Sequence, residues 1–342
     1  MISGASIKLT LLLVGCLFFG GCLLQNTPSS LQEIRGEIFG SYFHIKYHGD
    51  LKREVLEKDL NIFFEEFNQE FSTYRNNSVI STFNRIPVNT KFLVSPRFIE
   101  MLKLARKFHD ETGGAFDPTL GPLIKAWGFG GGSKGKEPDQ ATINKIMADI
   151  GFKYLHWDET KLQVWKTKNV NLDINAFAPG WAADLIGEFF ENRGVQNYMV
   201  DISGEILFKG TKPQGENWVA GIERPSPQHA EAVQMAFKIK DQAIATSGNY
   251  RQFYDHNGER RSHIIDPKTG RPVHHSIASA SVLASTAAAA DAWGTAMMVL
   301  GKEGIEIAEK RGYKVYLLEA HSKTYAEFMS NGMQAYLEAY RL

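Results

Sequence analysis

The stretch from Ala245 to Val273 constrains this chain most. Strand-forming residues flank Asp255-His256-Asn257-Gly258, and Asn-Gly tolerates the positive φ that a tight hairpin connection demands. A second stop follows at Asp266-Pro267, where proline lacks the N–H that a strand would use. Elsewhere strand and helix patterns interleave irregularly, so an α+β fold is expected and not a doubly wound parallel sheet. The stretch is also dense in chemistry. Thr246, Ser247, Asn249 and Tyr250 surround Gly248 with hydroxyls and an amide. His263 can exchange a proton near neutral pH, and Asp266 can orient it or bind a cation. Read alone, these residues fit a polar hairpin with an exposed histidine as well as they fit a site.

A chain of 342 residues can bury a sizeable core, as one large domain or two packed halves. Hydrophobic residues at 43% and charged residues at 22% describe a globular protein, and a formal net charge of +0 gives nucleic acid no general attraction. No apolar run after residue 25 approaches the length of a membrane span. The N-terminus differs in kind. Lys8 precedes a short apolar run from Leu9 to Gly21, which reads as a secretory signal. Both cysteines of the chain, Cys16 and Cys22, lie in it. Gly20-Gly21-Cys22 resembles a bacterial lipoprotein cleavage box, and Leu13-Val14-Gly15-Cys16 fits one too; Cys22 leaves the fuller apolar segment. The expected organisation is a signal over residues 1–22 with Cys22 lipidated, a polar tether over 23–32, and one domain over 33–342. That places the domain in the cell envelope, anchored to a membrane and facing the periplasm. A plain cleaved signal with incidental cysteines is the alternative.

Within the domain, residues 33–49 suggest two short strands around Gly36 and Gly40. Leu51 to Phe71 carries a helical apolar stripe. Ser95-Pro96 opens a second helix that stops at Thr112-Gly113-Gly114. Ala115-Phe116-Asp117-Pro118 follows at once, a fixed turn that lets backbone approach a ligand closely. Gly130 to Gly135 lacks the spacing of a phosphate loop and reads as a connection. In residues 171–184 a strand is expected to end at Asp173, a loop to turn at Pro179-Gly180, and a helix to run from Trp181. A loop feeding a helix N-terminus suits an anion. Asp291 opens another helix and shares one face with Thr295, four residues on. The C-terminal residues read as hairpin strands.

Ser262-His263-Ile264-Ile265-Asp266-Pro267, together with Thr246-Ser247-Gly248-Asn249-Tyr250, resembles the signature of the ApbE family, flavin transferases that move FMN from FAD to a protein threonine or serine. Three further blocks resemble that family in order: Gly113 to Pro118, Asp173 to Asp184, and Ala290 to Ala296. The resemblance spans about residues 33–342. It implies an α+β fold of tunnelling-fold type, with FAD in a cleft between two lobes. It implies that Phe39, Tyr74, Ala115, Phe116, Asp117, Asp173, Pro179 and Ile265 contact FAD, with Pro179 standing where many relatives have lysine. It further implies Mg²⁺ on Asp291, Thr295 and the carbonyl of Ala176, an oxygen set of the kind that ion prefers. His263 is the candidate general base. The implied partner is an acceptor protein with a Ser/Thr-Gly-Ala-Ser/Thr type motif in a membrane redox complex. Hydrolysis of FAD to FMN and AMP in the same site, or flavin binding without chemistry, are the alternatives.

Overall fold

The computed structural model describes residues 30–129, 137–225, 233–249, 253–256, 259–321 and 324–342. Eight strands form its central sheet: β1 (Gln32–Ile38), β2 (Ser41–His48), β3 (Asn197–Ile202), β4 (Glu205–Lys209), β5 (Gln242–Gly248), β6 (Ile277–Ala284), β7 (Lys314–His321) and β8 (Thr324–Met329). They lie side by side in chain order, and each neighbour runs antiparallel. Antiparallel pairing throughout, with helices inserted between strands, is the α+β arrangement expected from the sequence.

The insertions carry the helices. Between β2 and β3 come α1 (Arg53–Phe71), α2 (Val79–Arg85), α3 (Pro96–Glu111), α4 (Gly121–Ala126), α5 (Gln140–Met147) and α6 (Ala178–Glu191). Between β6 and β7 come α7 (Ala287–Leu300) and α8 (Gly304–Glu309), and α9 (Asn331–Tyr340) ends the chain. The stripe Leu56, Leu60, Phe64, Phe67 and Phe71 buries one face of α1. Ser95 caps α3 by accepting the Phe98 N–H, at 3.0 Å, and Pro96 takes the first turn, where no N–H is needed.

Two apolar layers sandwich the sheet. The larger core joins α1, α3, α6 and α7 to one face. The smaller joins α9 and the hairpin of Trp218–Glu223 with Val233–Ile239 to the other. β6 lies between them, buried along its whole length. A third cluster stands apart: Leu120, Leu123, Trp127, Phe129 and Ile143 pack on Ile265. The Trp127 indole N–H donates to the Gly270 carbonyl at 2.8 Å, tying α4 to the segment after His263. Among the described residues no helix is long and apolar enough to cross a membrane.

The local readings need four corrections. Residues 170–173 belong to no strand. Pro179 and Gly180 do not form a loop; they sit in the first turn of α6, where a prolyl ring fits without cost. α7 begins at Ala287, capped by Thr286, so Asp291 stands in its second turn. The last residues form a helix, because Ser330 accepts the Met333 N–H and Met333 and Leu337 supply an apolar side one turn apart. Tyr250, Asn257, Gly258, the Gly130–Gly135 connection and both cysteines lie outside the described residues.

α6 and α7 are locked together at their N-termini. Asp184 of α6 accepts the Ala287 and Ala288 N–H groups, at 2.7 and 2.8 Å. Asp291 of α7 accepts the Gly180 N–H, at 3.2 Å. Each helix thus caps the other with a carboxylate, satisfying amides that have no partner within their own helix. The approach requires glycine: a Cβ at Gly180 would stand 2.4 Å from the Ala287 carbonyl oxygen. Gly180→Ala should therefore push the helices apart and destabilise the fold by about 1–3 kcal/mol. Thermal unfolding measures this, and an unchanged melting temperature would show that the helices do not need this separation.

Candidate active site

The locked N-termini form one wall of a cavity of about 370 Å³. Ala176, Pro179, Asp291 and Thr295 stand on that wall. The end of β5 adds Thr246, Ser247 and Gly248, and the β3–β4 turn adds Ser203 and Glu205. Ala115, Phe116 and Asp117, Asp173, and the run His263-Ile264-Ile265 also line it. Eleven residues expected at a site therefore meet here: Tyr74, Ala115, Phe116, Asp117, Asp173, Ala176, Pro179, His263, Ile265, Asp291 and Thr295. Phe39 does not. It turns the chain between β1 and β2 at φ +55°, and its ring packs on Phe64 and Phe67 of α1. Tyr74 stands at the mouth, 73% exposed. Cys22 lies outside the described residues.

The cavity is acidic. Four carboxylates line it, Asp117, Asp173, Glu205 and Asp291, and among the described residues no lysine or arginine does. Asp291 is 6% exposed. Burial pushes its carboxyl well above the usual range, and the charges of Glu205 and Asp184 add to this, against the one favourable Gly180 N–H. Burial also raises Asp184 to about 7 and raises Asp173 and Asp117. Two hydrogen bonds from Thr119 and the nearby His109 imidazole, 3.9 Å away, work against burial at Asp117.

Short-range bonds shape each loop. Asp117 Oδ1 accepts from the Thr119 N–H and hydroxyl, at 2.8 and 2.6 Å, and fixes the turn after Phe116. The Asp173 N–H donates to the Pro118 carbonyl at 2.7 Å, so both acidic loops move as one. His263 sits in a break between the strands Glu259–Ser262 and Ile265–Asp266, not within one strand as expected. Its ring meets Phe129 edge to face, with centroids 6.2 Å apart. Asp266 does not reach toward it as expected: its oxygens accept from the Lys268 N–H at 2.8 Å and the Thr269 hydroxyl at 3.1 Å, closing a turn.

Glu205 lines the cavity, while Asp184 and Asp201 shape its wall and turn; the sequence reading gave none of the three a role. Glu205 opens β4, just after a turn in which Ser203 and Gly204 both have positive φ. Asp201 makes that turn by accepting the Gly204 N–H at 2.9 Å. A small residue and glycine followed by an acid is the signal that could have found it.

The set Asp291, Thr295 and Ala176 carbonyl is all oxygen. Among the described residues no group of three or more His, Cys, Asp or Glu forms a metal cage. A hard cation suits the oxygen set, and a cation there would favour the ionised form of Asp291, which burial and its acidic neighbours otherwise disfavour.

Fold and cavity together define an α+β protein with one acidic cleft walled by two helix N-termini. The ApbE family model matches residues 39–317, and the chain belongs to the ApbE family. It is 33% identical over 330 residues to a FAD:protein FMN transferase of Vibrio cholerae, covering 95% of this chain and 97% of that one. It is 34% identical over 296 residues to the Haemophilus influenzae FAD:protein FMN transferase, covering 84% and 86%. The apo Pseudomonas stutzeri flavinyl transferase ApbE superposes with a TM-score of 0.84 at 28% identity, over 92% of this chain and 98% of that one. The Vibrio cholerae flavin transferase ApbE superposes at 0.81 with 32% identity, over 91% and 100%.

Asp201 gives a test of the electrostatics around the turn. Burial pushes it up from 3.8 to about 6. The folded chain then holds this proton more tightly than the unfolded chain does, so its contribution to stability is greatest below about pH 4 and falls through pH 6. Asp201→Asn should remove a loss on the order of 2–3 kcal/mol between pH 4 and pH 8. Urea unfolding across that range measures it, and equal pH slopes for both proteins would refute the assignment.

Proposed function

We propose that this chain is a Mg²⁺-dependent transferase that moves FMN from FAD to a threonine or serine hydroxyl of another protein, releasing AMP. The observation that carries this reading is the convergence of His263, Asp291, Thr295, Ala176, Asp117 and Asp173, from distant parts of the chain, on one cavity. Full-length similarity to proteins named FAD:protein FMN transferase supports it. In this reading FAD lies in the cleft between two lobes of a tunnelling-type fold, with Tyr74, Phe116, Pro179 and Ile265 against it.

The acceptor oxygen bonds to the FMN-side phosphorus, and the bond from that phosphorus to the bridging oxygen breaks. AMP leaves with the bridging oxygen, and His263 takes the hydroxyl proton. Asp291, Thr295 and the Ala176 carbonyl would hold Mg²⁺, which supplies charge neutralisation for the phosphate oxygens. That positive charge would suit the cavity, since among the described residues its lining brings carboxylates and no lysine or arginine to a diphosphate. Asp117 and Asp173 position the ligand. The acceptor presents a Ser/Thr-Gly-Ala-Ser/Thr type motif on an exposed loop, in a membrane redox complex. A lipid on Cys22 would hold the enzyme at the periplasmic face of the membrane beside it.

The test incubates residues 26–342 with FAD, Mg²⁺ and an acceptor domain bearing that motif, with mass spectrometry of the acceptor and AMP measured alongside. The expected result is an FMN adduct whose rate of formation falls at least about 100-fold in Asp291→Ala. AMP and free FMN without adduct would assign hydrolysis instead. Bound FAD with no AMP would assign a flavin carrier. In cells, Cys22→Ser should move the full chain from the membrane to the soluble fraction. Release by Cys16→Ser alone would move the lipid to that residue.

A further inference from the structure

Lys166 is wholly buried, which is rare for an ammonium group. Its Nζ donates to the Asn84 carbonyl at 2.7 Å and the Val170 carbonyl at 3.0 Å, and lies 5.6 Å from the Phe83 ring centre. Burying this charge carries a large desolvation cost, which these bonds offset in part. Asn84 uses its whole side chain. Its Nδ2 donates to the Leu172 carbonyl at 2.9 Å, and its Oδ1 accepts the Leu172 N–H at 2.7 Å. The amide thus does for residue 172 what a neighbouring strand would do, in a segment that has none.

The clamp falls one residue before Asp173. Neither Asn84 nor Lys166 lines the cavity, yet Asp173, Asn175 and Ala176 all do. The Asn175 N–H donates to Asp173 Oδ1 at 3.0 Å, so an error at residue 172 passes directly along this turn. We propose that Asn84, braced by Lys166, is a positioning residue that sets where Asp173 and the Ala176 carbonyl stand, and so sets the affinity of the cavity for FAD and for a divalent cation. This inference rests on the reading of the cavity as a FAD site. Outer groups that orient ligating groups in this way govern affinity without touching the ligand.

Two variants of the full chain test it. Asn84→Asp keeps the acceptor for the Leu172 N–H and loses the donor to its carbonyl. Lys166→Met keeps the aliphatic stem and loses both ammonium bonds. The probes are FAD, titrated by flavin fluorescence, and Mg²⁺, titrated in the presence of FAD. Each variant should weaken both affinities about 10- to 100-fold. KM for FAD should rise more than kcat falls. In the ligand-free protein, hydrogen exchange should quicken at residues 170–176 and stay unchanged in the central sheet. Wild-type affinity in both variants would overturn the proposal, and so would exchange that quickens throughout the molecule, which marks a merely structural role. If the wild-type chain binds no FAD, the reading of the site falls and this inference falls with it. If it binds FAD and the variants match it, only this inference falls.

Discussion

Asp184 and Asp291 exchange their duties: each stands on one helix and accepts amides at the start of the other. The arrangement fixes the spacing of α6 and α7 and brings the two positive helix ends to one place. The rest of the site is built on that spacing. Pro179 and Ala176 enter the cavity because α6 starts where it does, and Thr295 enters because it lies one turn beyond Asp291. A carboxylate that caps a helix is usually exposed. Asp291 is not, and burial beside Glu205 and Asp184 makes its negative charge costly unless a proton or a cation offsets it.

The cavity walls carry acids from four separate segments of the chain. In the proposed reading a diphosphate would enter together with a cation, each making the other acceptable. Selectivity follows from the same balance. A ligand with no phosphate brings no partner for the cation, and a cation without the ligand lacks part of its oxygen shell.

The strand and helix patterns of the chain showed most of the fold. The stripe of α1, the Ser95-Pro96 start of α3 and the β1–β2 pair stand where periodicity and caps put them. The failures have local causes. Pro179-Gly180 carries the composition of a turn, but proline also suits a first helical turn, and Gly180 serves closeness to Ala287 instead of bending. α9 buries only Met333 and Leu337, too sparse a pattern to outweigh its aromatic residues. In the site, the blocks carrying Asp117, Asp173, His263 and Asp291 were legible because each is a short distinctive run that includes a glycine or a proline. Phe39 does not line the cavity, since a turn residue with positive φ can aim its ring either way and here α1 offers two aromatic partners in Phe64 and Phe67. Glu205 and Asp184 were not singled out. A lone acid in an amphipathic element looks like surface until tertiary packing encloses it.

The sheet runs in chain order, yet one of its seams spans nearly half the chain: Phe43 of β2 pairs with Ile202 of β3. Closing that seam costs loop entropy before any reward arrives, and contacts so far apart in sequence form slowly. A chain that has emerged only as far as α6 has helices but no floor beneath them, and α7, with half of the mutual cap, is still to come. The cleft is therefore among the last things this protein completes. Until then no ligand can lend it stability, and the apolar faces of α1 and α6 lack the sheet they pack on.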